Sequence, residues 1–184
     1  MCKVFRKRAD RIVHQLIEDM SYNTCGFITN QKLSDKLEEL SEALSVDIQS
    51  SEESTLEEAL EDKDEYADID VYEEGEASLV FCSNALLEED SKLGQLTSGG
   101  KQLTEFMLSE TSMVFAFRFY EQGEKVAEDF YVFEPGFTCY GANKLQLTEA
   151  SDILEEGLSA ILQPLMGKPF EDLDLSASVL RLKL

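Results

Sequence analysis

The apolar positions of the first 45 residues recur every three or four residues, as they do on one face of a helix. A first amphipathic helix is predicted over residues 3–20, with a turn over 22–29 after it. A second is predicted over 31–45, with Asn30 as its N-cap. The two would form a helical hairpin spanning 3–45. The apolar positions are Phe5, Ala9, Ile12, Val13, Leu16, Ile17, Met20, Leu33, Leu37, Leu40 and Leu44.

The periodicity changes from helical to alternating after a polar stretch. Residues 47–65 are rich in Ser, Thr, Asp and Glu and are predicted to be an acidic loop, within which Leu56, Ala59 and Leu60 could support one or two helical turns. Apolar and polar residues then alternate over 67–72, which indicates a half-buried strand, and residues 77–82 provide a return strand after a turn at Glu73–Glu76. Residues 84–100 show no regular period, and a short helix is predicted over 101–109.

A β-hairpin is predicted for residues 112–121 and 124–134, because Gln122-Gly123 suits a two-residue turn. In the register that we predict, Phe115 faces Phe130 on a strongly apolar face. The same register puts Glu128 on that face, opposite Phe117. A carboxylate in such surroundings would have a raised pKa and a possible function, whereas a register error would return it to solvent.

The last quarter of the chain returns to helical spacing. A helix capped by Thr148 is predicted over 149–163, with Gly157 as a weak position within it. Pro and Gly residues end it. Residues 178–184 alternate between apolar and polar and predict an edge strand or an exposed arm.

These elements predict a single α+β domain over residues 1–184. Its antiparallel sheet would be built from hairpins packed against N-terminal and C-terminal amphipathic helices. The parts are the helical hairpin 3–45, the acidic loop 47–65, the hairpins and helix 66–163, and the C-terminal tail 164–184.

The net charge of the chain excludes more classes of function than the predicted helices and strands do. The 184 residues include 16 Lys and Arg against 38 Asp and Glu, so the formal net charge is −22. Such a surface disfavours direct binding to nucleic acid or to anionic membranes, and it favours basic partners. The excess of negative charge is concentrated in residues 35–76, whereas residues 1–14 carry a net charge of +4. We therefore expect the basic first helix to neutralise part of the acidic surface.

Metal, cofactor and thiol chemistry receive little support from the sequence. Cys2, Cys25, Cys82 and Cys139 are scattered, and no metal site or cofactor is predicted. A calcium-loop match that begins at Asp62 fails, since Ala67 occupies the position that requires glycine. No apolar segment of a secretory signal follows the basic start, which predicts a cytoplasmic protein with reduced thiols.

One stretch could line a pocket. Residues 133–141 are rich in glycine and aromatic side chains, and such a loop after a strand either lines a pocket or packs over a sheet edge. A small enzyme that uses a pocket near this loop is therefore one alternative. Its residues would be Arg118, Glu128, Phe137, Cys139 and Tyr140.

The leading hypothesis is a non-enzymatic binding protein whose acidic face recognises a basic protein partner. An immunity protein or a nucleic-acid mimic works in this way, by electrostatic steering and complementarity. An acidic, dimeric chaperone for an exported or aggregation-prone protein is a second alternative, so a homodimer is possible. The predicted partner-binding residues are Glu38, Glu42, Glu57, Glu58, Glu61, Asp68, Asp70, Glu73, Glu74 and Glu76.

Overall fold

Nine antiparallel strands form one open sheet in the computed structural model, which describes residues 23–61, 63, 68–87, 92–109, 111–132, 136–149 and 153–184. The strand order is β2–β9–β3–β4–β1–β5–β6–β7–β8. The strands are β1 (Asn23–Thr29), β2 (Ser50–Thr55), β3 (Ile69–Glu74), β4 (Ala77–Phe81), β5 (Gln102–Ser109), β6 (Val114–Glu121), β7 (Glu124–Val132), β8 (Thr138–Gly141) and β9 (Ser178–Lys183).

Helices are few among the described residues. They are α1 (Leu37–Leu44), α2 (Leu56–Ala59) and α3 (Ile153–Met166), with three short 3₁₀ turns at Asn84–Leu87, Leu93–Thr97 and Phe170–Asp172. The prediction of an antiparallel sheet is confirmed, but the fold is richer in sheet than the α+β organisation that was predicted. The predicted helix over 3–20 lies outside the described residues. None of the described helices is long and apolar enough to cross a membrane.

Each face of the sheet carries its own apolar core. On the first, called here the α3 face, Leu158 and Leu162 of α3 and Leu56 of α2 share a buried cluster with Phe106 and Phe117 of the sheet. The second, called the α1 face, buries residues of α1 with residues of β1, β3, β4 and β9 and of the 3₁₀ turns at 84–87 and 93–97. Apolar side chains on both faces explain why several strands lack simple alternation.

Two central strands were predicted wrongly because they bury apolar side chains on both faces of the sheet. Residues 22–29 were predicted to be a turn, but 23–29 form β1, which lies between β4 and β5. Residues 101–109 were predicted to be helical but form β5. Leu103, Phe106 and Leu108 of β5 are all buried, Leu103 on one face of the sheet and the other two on the opposite face. The three-residue spacing of Leu103 and Phe106 is also found on one face of a helix.

The polar stretch and the tail also differ from their predictions. The predicted acidic loop contains the strand β2, which was not predicted, and the short helix α2, which lies where a helical turn was considered. Residues 178–183 form β9, which is neither an edge strand nor an exposed arm, because it pairs with β2 on one side and β3 on the other. The second helix is shorter than predicted, at Leu37–Leu44, and the C-terminal helix lies a few residues later, at Ile153–Met166.

The β6–β7 hairpin forms as predicted, but its register changes along its length. At the turn, where Gln122 and Gly123 both have positive φ, Tyr120 pairs with Lys125 as predicted. A bulge between Phe119 and Tyr120 shifts the remaining pairs by one residue. A one-residue shift exchanges the faces of a strand, so Phe115 pairs with Tyr131 and not with Phe130.

Gly157, a weak position for a helix, has a packing role. A Cβ atom at this position would lie 2.8 Å from Cζ of Phe117, closer than carbon atoms approach in folded proteins. Glycine therefore lets α3 approach the sheet over Phe117, which is fully buried. This close packing offsets the poor helix propensity of glycine.

Candidate binding surface

The outermost strand on one side of the sheet lies within a strongly acidic segment. Residues 35–61 contain ten carboxylates and one cation, Lys36, and all ten carboxylates are exposed. We call these ten residues the acidic edge. They are Asp35, Glu38, Glu39, Glu42, Asp47, Glu52, Glu53, Glu57, Glu58 and Glu61.

Three consecutive elements position the acidic edge. The strand β2 pairs with β9 and, among the described strands, has no other neighbour in the sheet. Before it in the chain, α1 packs on one face of the sheet, and after it, α2 packs on the other. Carboxylates thus follow β2 and the helices that flank it in sequence. Charged side chains on an edge strand also oppose unspecific edge-to-edge association.

The α2 part of the acidic edge has a defined local structure. The side chain of Thr55 caps the helix by accepting a hydrogen bond from the Glu58 N–H at 3.3 Å. The carboxylates of Glu57 and Glu58 stand in the first turn, where the helix dipole favours negative charge. Ser54 Oγ donates to Glu58 Oε2 at 2.6 Å, and this hydrogen bond lowers the pKa of Glu58. Glu58 therefore keeps its charge at neutral pH.

The ten predicted partner-binding residues divide into two groups. Five of them belong to the acidic edge, and Glu76, in the turn between β3 and β4, is exposed as well. The other four carboxylates make ion pairs or hydrogen bonds inside the fold. These four are Asp68, Asp70, Glu73 and Glu74.

Asp70 is completely buried and anchors the side of the sheet that carries the acidic edge. Arg181 of β9 donates from Nε and Nη2 to its two carboxylate oxygens, at 2.8 and 2.9 Å, and Lys63 donates to it as well. Burial alone would raise the pKa of Asp70, but the hydrogen bonds from Arg181 and Lys63 outweigh it and lower the pKa. Nearby, Lys183 Nζ lies 2.6 Å from Asp68 and 3.0 Å from Glu52.

The described residues supply cations of their own to the carboxylates in and beside the acidic edge. Within the described part of the chain, charge compensation next to the acidic edge comes from Lys63 and from Arg181 and Lys183 of β9. The basic segment at residues 1–14, which was predicted to neutralise part of the acidic surface, lies outside the described residues, so that prediction stays a prediction. The internal strand β9 supplies cations to the carboxylates on both sides of it.

Glu73 and Glu74 hold chain segments together. Glu73 Oε1 accepts hydrogen bonds from the backbone N–H groups of Leu33 and Ser34, at 3.0 and 2.9 Å, and from Ser78 Oγ at 3.1 Å. It thereby fastens the segment that leads into α1 to the end of β3. Glu74 lies 2.8 Å from Lys168, beyond α3. These two carboxylates are structural acceptors.

Replacing Glu73 with glutamine is expected to lower the free energy of unfolding by about 1.5–3 kcal/mol at pH 7, the range for hydrogen bonds to a charged group. Burial alone would raise the pKa of Glu73, but the hydrogen bonds from Ser34, Ser78 and Leu33 lower it. A lowered pKa gives stability that is complete above the ordinary glutamate value and is lost as the pH falls through the folded-state value. Urea unfolding from pH 7 to pH 3 should show the difference between wild type and Glu73→Gln shrinking below pH 4.5.

Glu76→Gln is the matched control for this prediction, because Glu76 is exposed in the adjacent turn. Its unfolding free energy should stay within about 0.5 kcal/mol of wild type throughout the pH range. A difference between wild type and Glu73→Gln that stays constant down to pH 3 would contradict the role given to the Glu73 charge.

Five members of the acidic edge were not among the predicted partner-binding residues: Asp35, Glu39, Asp47, Glu52 and Glu53. The strand β2 reads Ser-Ser-Glu-Glu-Ser-Thr, which has no apolar alternation and therefore no strand signal. Its place in the sheet depends on its partner β9, more than 120 residues later in the chain. The density of acidic residues was the one available signal.

The predicted pocket residues lie on different faces of the sheet. Arg118 pairs with Glu128 across β6 and β7, with 2.9 Å between Nε and Oε1, so Glu128 does not face Phe117 as predicted. Cys139 packs against the α3-face core, opposite the Arg118–Glu128 pair, as does Phe137. Burial and then the Asp129 carboxylate raise the pKa of the Cys139 thiol, which disfavours a nucleophilic thiolate.

Two cavities of about 380 and 390 Å³ lie elsewhere. The first is at the start of β1, and the second lies between α3 and the ends of β5 and β6. The five predicted pocket residues line neither cavity. Among the described residues, no three His, Cys, Asp or Glu side chains gather as they would around a metal ion.

Comparisons with protein-family models, with curated proteins and with solved structures give no match for this chain.

Proposed function

We propose that this protein is a non-enzymatic binding protein that recognises a basic protein partner through the acidic edge. One observation carries the proposal: ten exposed carboxylates against one lysine in residues 35–61, on and around the outermost strand. This segment keeps its carboxylates at the surface, although four neighbouring carboxylates are used inside the fold.

Electrostatics explains how such a surface would act. A net charge of −22 attracts a basic protein from a distance, and a concentrated acidic surface orients it on approach. Exposed charges at the rim of an interface affect mainly the association rate and its salt dependence. The interaction should therefore be fast and sensitive to salt. The proposal covers both a basic toxin and a nucleic-acid-binding protein as partner, because both present the same cationic chemistry.

The test replaces three carboxylates of the acidic edge with lysine: Glu53→Lys, Glu57→Lys and Glu61→Lys together. All three side chains are exposed, so the fold should tolerate the change. Immobilised wild type and variant are used to capture proteins from a lysate of the source cells at low and high salt. We expect the variant to lose about tenfold or more of a basic protein that wild type retains at low salt, because reversed charges repel the partner.

A second triple variant separates the place of the charges from their number. Glu124→Lys, Glu149→Lys and Asp172→Lys change exposed residues far from residues 35–61 in the chain and alter the net charge equally. This control should capture the partner as wild type does. Equal loss in both triple variants, or capture that salt leaves unchanged, would overturn the proposal.

The two alternatives have less support from the described residues. A chaperone needs a continuous apolar surface, and the exposed large apolar residues described are Met113, Val126 and Tyr140, at 37%, 51% and 58% exposure. They lie at separate points of β7, β8 and the turn before β6. An enzyme with the predicted pocket needs Cys139 beside Arg118 or Glu128, which the sheet separates. A stable dimer in light scattering would favour the chaperone.

A further inference from the structure

Two cysteines are cross-strand neighbours near the middle of the sheet. The β1–β4 register pairs Gly26 with Phe81, and one step further it places Cys25 opposite Cys82. The backbone confirms the pairing, because the Cys82 N–H donates to the Cys25 carbonyl oxygen at 3.1 Å. Both side chains lie on the α1 face, where they belong to one apolar cluster. Both are in the thiol form.

The spacing of such a pair suits a disulfide. Directly opposite residues of a hydrogen-bonded antiparallel pair have Cα atoms about 5.5 Å apart, within the usual disulfide range. Their Cβ atoms, at about 5 Å, must approach by about 1 Å for the bond to form. Cys82 follows the last residue of β4, where the backbone has fewer strand neighbours to hold it in place. The resulting bond would be somewhat strained and thus easily reduced.

Both cysteines line the same cavity, and Cys25 is the more exposed of the two. The cavity of about 380 Å³ at the start of β1 is lined by Cys25 and Cys82 together with Lys63, Met107, Ser83 and Thr111. Cys25 is partly exposed and Cys82 is buried. Burial raises the pKa of the Cys82 thiol, although the positive charge of Lys63 acts to lower it. Cys25 is consequently the thiol that reacts first.

We propose that Cys25 and Cys82 form an oxidation-sensitive dithiol that a small hydroperoxide converts reversibly into a cross-strand disulfide. The Cys25 thiolate attacks the peroxide oxygen, the O–O bond breaks, and water or an alcohol leaves after protonation. The Cys25 sulfenic acid that results is attacked by the Cys82 sulfur, which loses its proton. The S–S bond forms as the sulfenic oxygen leaves as water. Two thiols are oxidised by two electrons, and one peroxide is reduced.

The sheet order excludes the other described cysteine as a partner. Cys139 is on β8, four strands from β1, which at about 4.8 Å per strand is about 19 Å away. This inference does not depend on the proposed function, but it concerns the same segment. A bond between residues 25 and 82 would close a loop that contains α1, β2, α2 and hence the whole acidic edge.

The test is disulfide mapping of the full chain after treatment with hydrogen peroxide. Any remaining thiols are blocked with an alkylating reagent before trypsin digestion. Cleavage after Lys and Arg puts Cys25 in peptide 12–32, Cys82 in 64–92, Cys139 in 126–144 and Cys2 in 1–3, so every pairing has its own mass. We expect peptides 12–32 and 64–92 to be linked without reductant and to separate with dithiothreitol. Cys139→Ser should leave the link unchanged, and Cys25→Ser should abolish it.

Three outcomes would overturn the inference. They are thiols that resist peroxide, oxidation of Cys25 to sulfinic acid without a link, and links that involve mainly Cys2 or Cys139. Because Cys82 is buried, Cys82→Ala is used only as a second variant, after circular dichroism shows that it folds. In that variant the Cys25 sulfenic acid should persist long enough for trapping by dimedone, which a purely structural role of Cys82 would not produce.

Discussion

Replacing Arg181 with methionine is expected to lower the free energy of unfolding by about 3–5 kcal/mol, as loss of one partner from a buried ion pair does. The replacement leaves the Asp70 carboxylate, which has no solvent exposure, without two hydrogen bonds of 2.8 and 2.9 Å. Lys63 remains as a partner but cannot supply the two-pronged contact of a guanidinium group. Urea or thermal unfolding of the purified protein measures the loss.

A double-mutant cycle separates the Arg181–Asp70 interaction from side effects of each replacement. Asp70→Asn and Arg181→Met should each destabilise the protein. The double variant should be about 1–3 kcal/mol more stable than the summed losses of the two single variants predict, because neither charge is then left buried alone. Lys125→Met is the control, since Lys125 and Glu128 form an ion pair of 3.1 Å that is largely exposed. Its cost should stay below about 1 kcal/mol. Additive effects in the cycle would show that the two residues do not act as a pair.

Replacing Gly26 with alanine is expected to destabilise the protein by more than about 4 kcal/mol, a loss that marks a severe structural defect. A Cβ atom at this position would overlap the carbonyl oxygen of Val80 and lie 3.0 Å from Cζ of Phe106. The first contact is with backbone, which a side-chain rotation cannot relieve. The strands β1 and β4 would have to separate at the centre of the sheet.

Gly136→Ala is the control for this prediction, because a Cβ atom at Gly136 would have open space around it. Its yield of soluble protein and its thermal midpoint should match those of wild type. The Gly26→Ala variant should give little folded protein, as judged by circular dichroism and by resistance to protease. A Gly26→Ala variant as stable as Gly136→Ala would mean that β1 and β4 are further apart than the structure shows.

Short-range sequence patterns predicted the strands that have one apolar and one more polar face. The hairpin of β6 and β7 has a turn with two positive φ angles at Gln122 and Gly123, and this geometry is encoded in two adjacent residues. The bulge beside Phe119 was not predictable, because either register gives a face with several aromatic residues. The strands β1 and β5 are buried on both faces, so their apolar residues follow no simple period.

The candidate site was predictable as a region but not residue by residue. A high density of acidic residues identifies the segment, whereas the use of each carboxylate depends on distant residues. Asp70 and Glu57 look alike in the sequence, yet Asp70 meets Arg181 across 111 residues and is buried. Pairing over such separations leaves no local signal. The Cys25–Cys82 pair likewise depends on a register that only the folded sheet defines.

The position of β9 constrains the order in which the protein can fold. β9 lies between β2 and β3, so β2 has no place in the sheet until residues 178–183 have been synthesised and paired. During translation, β2 therefore stays unpaired until more than 100 further residues have left the ribosome and β9 can pair with it. Contacts between such distant residues form slowly, which exposes unpaired strands to association with other chains. The high negative charge of residues 35–61 opposes the association of such incompletely folded chains, because their acidic segments repel one another.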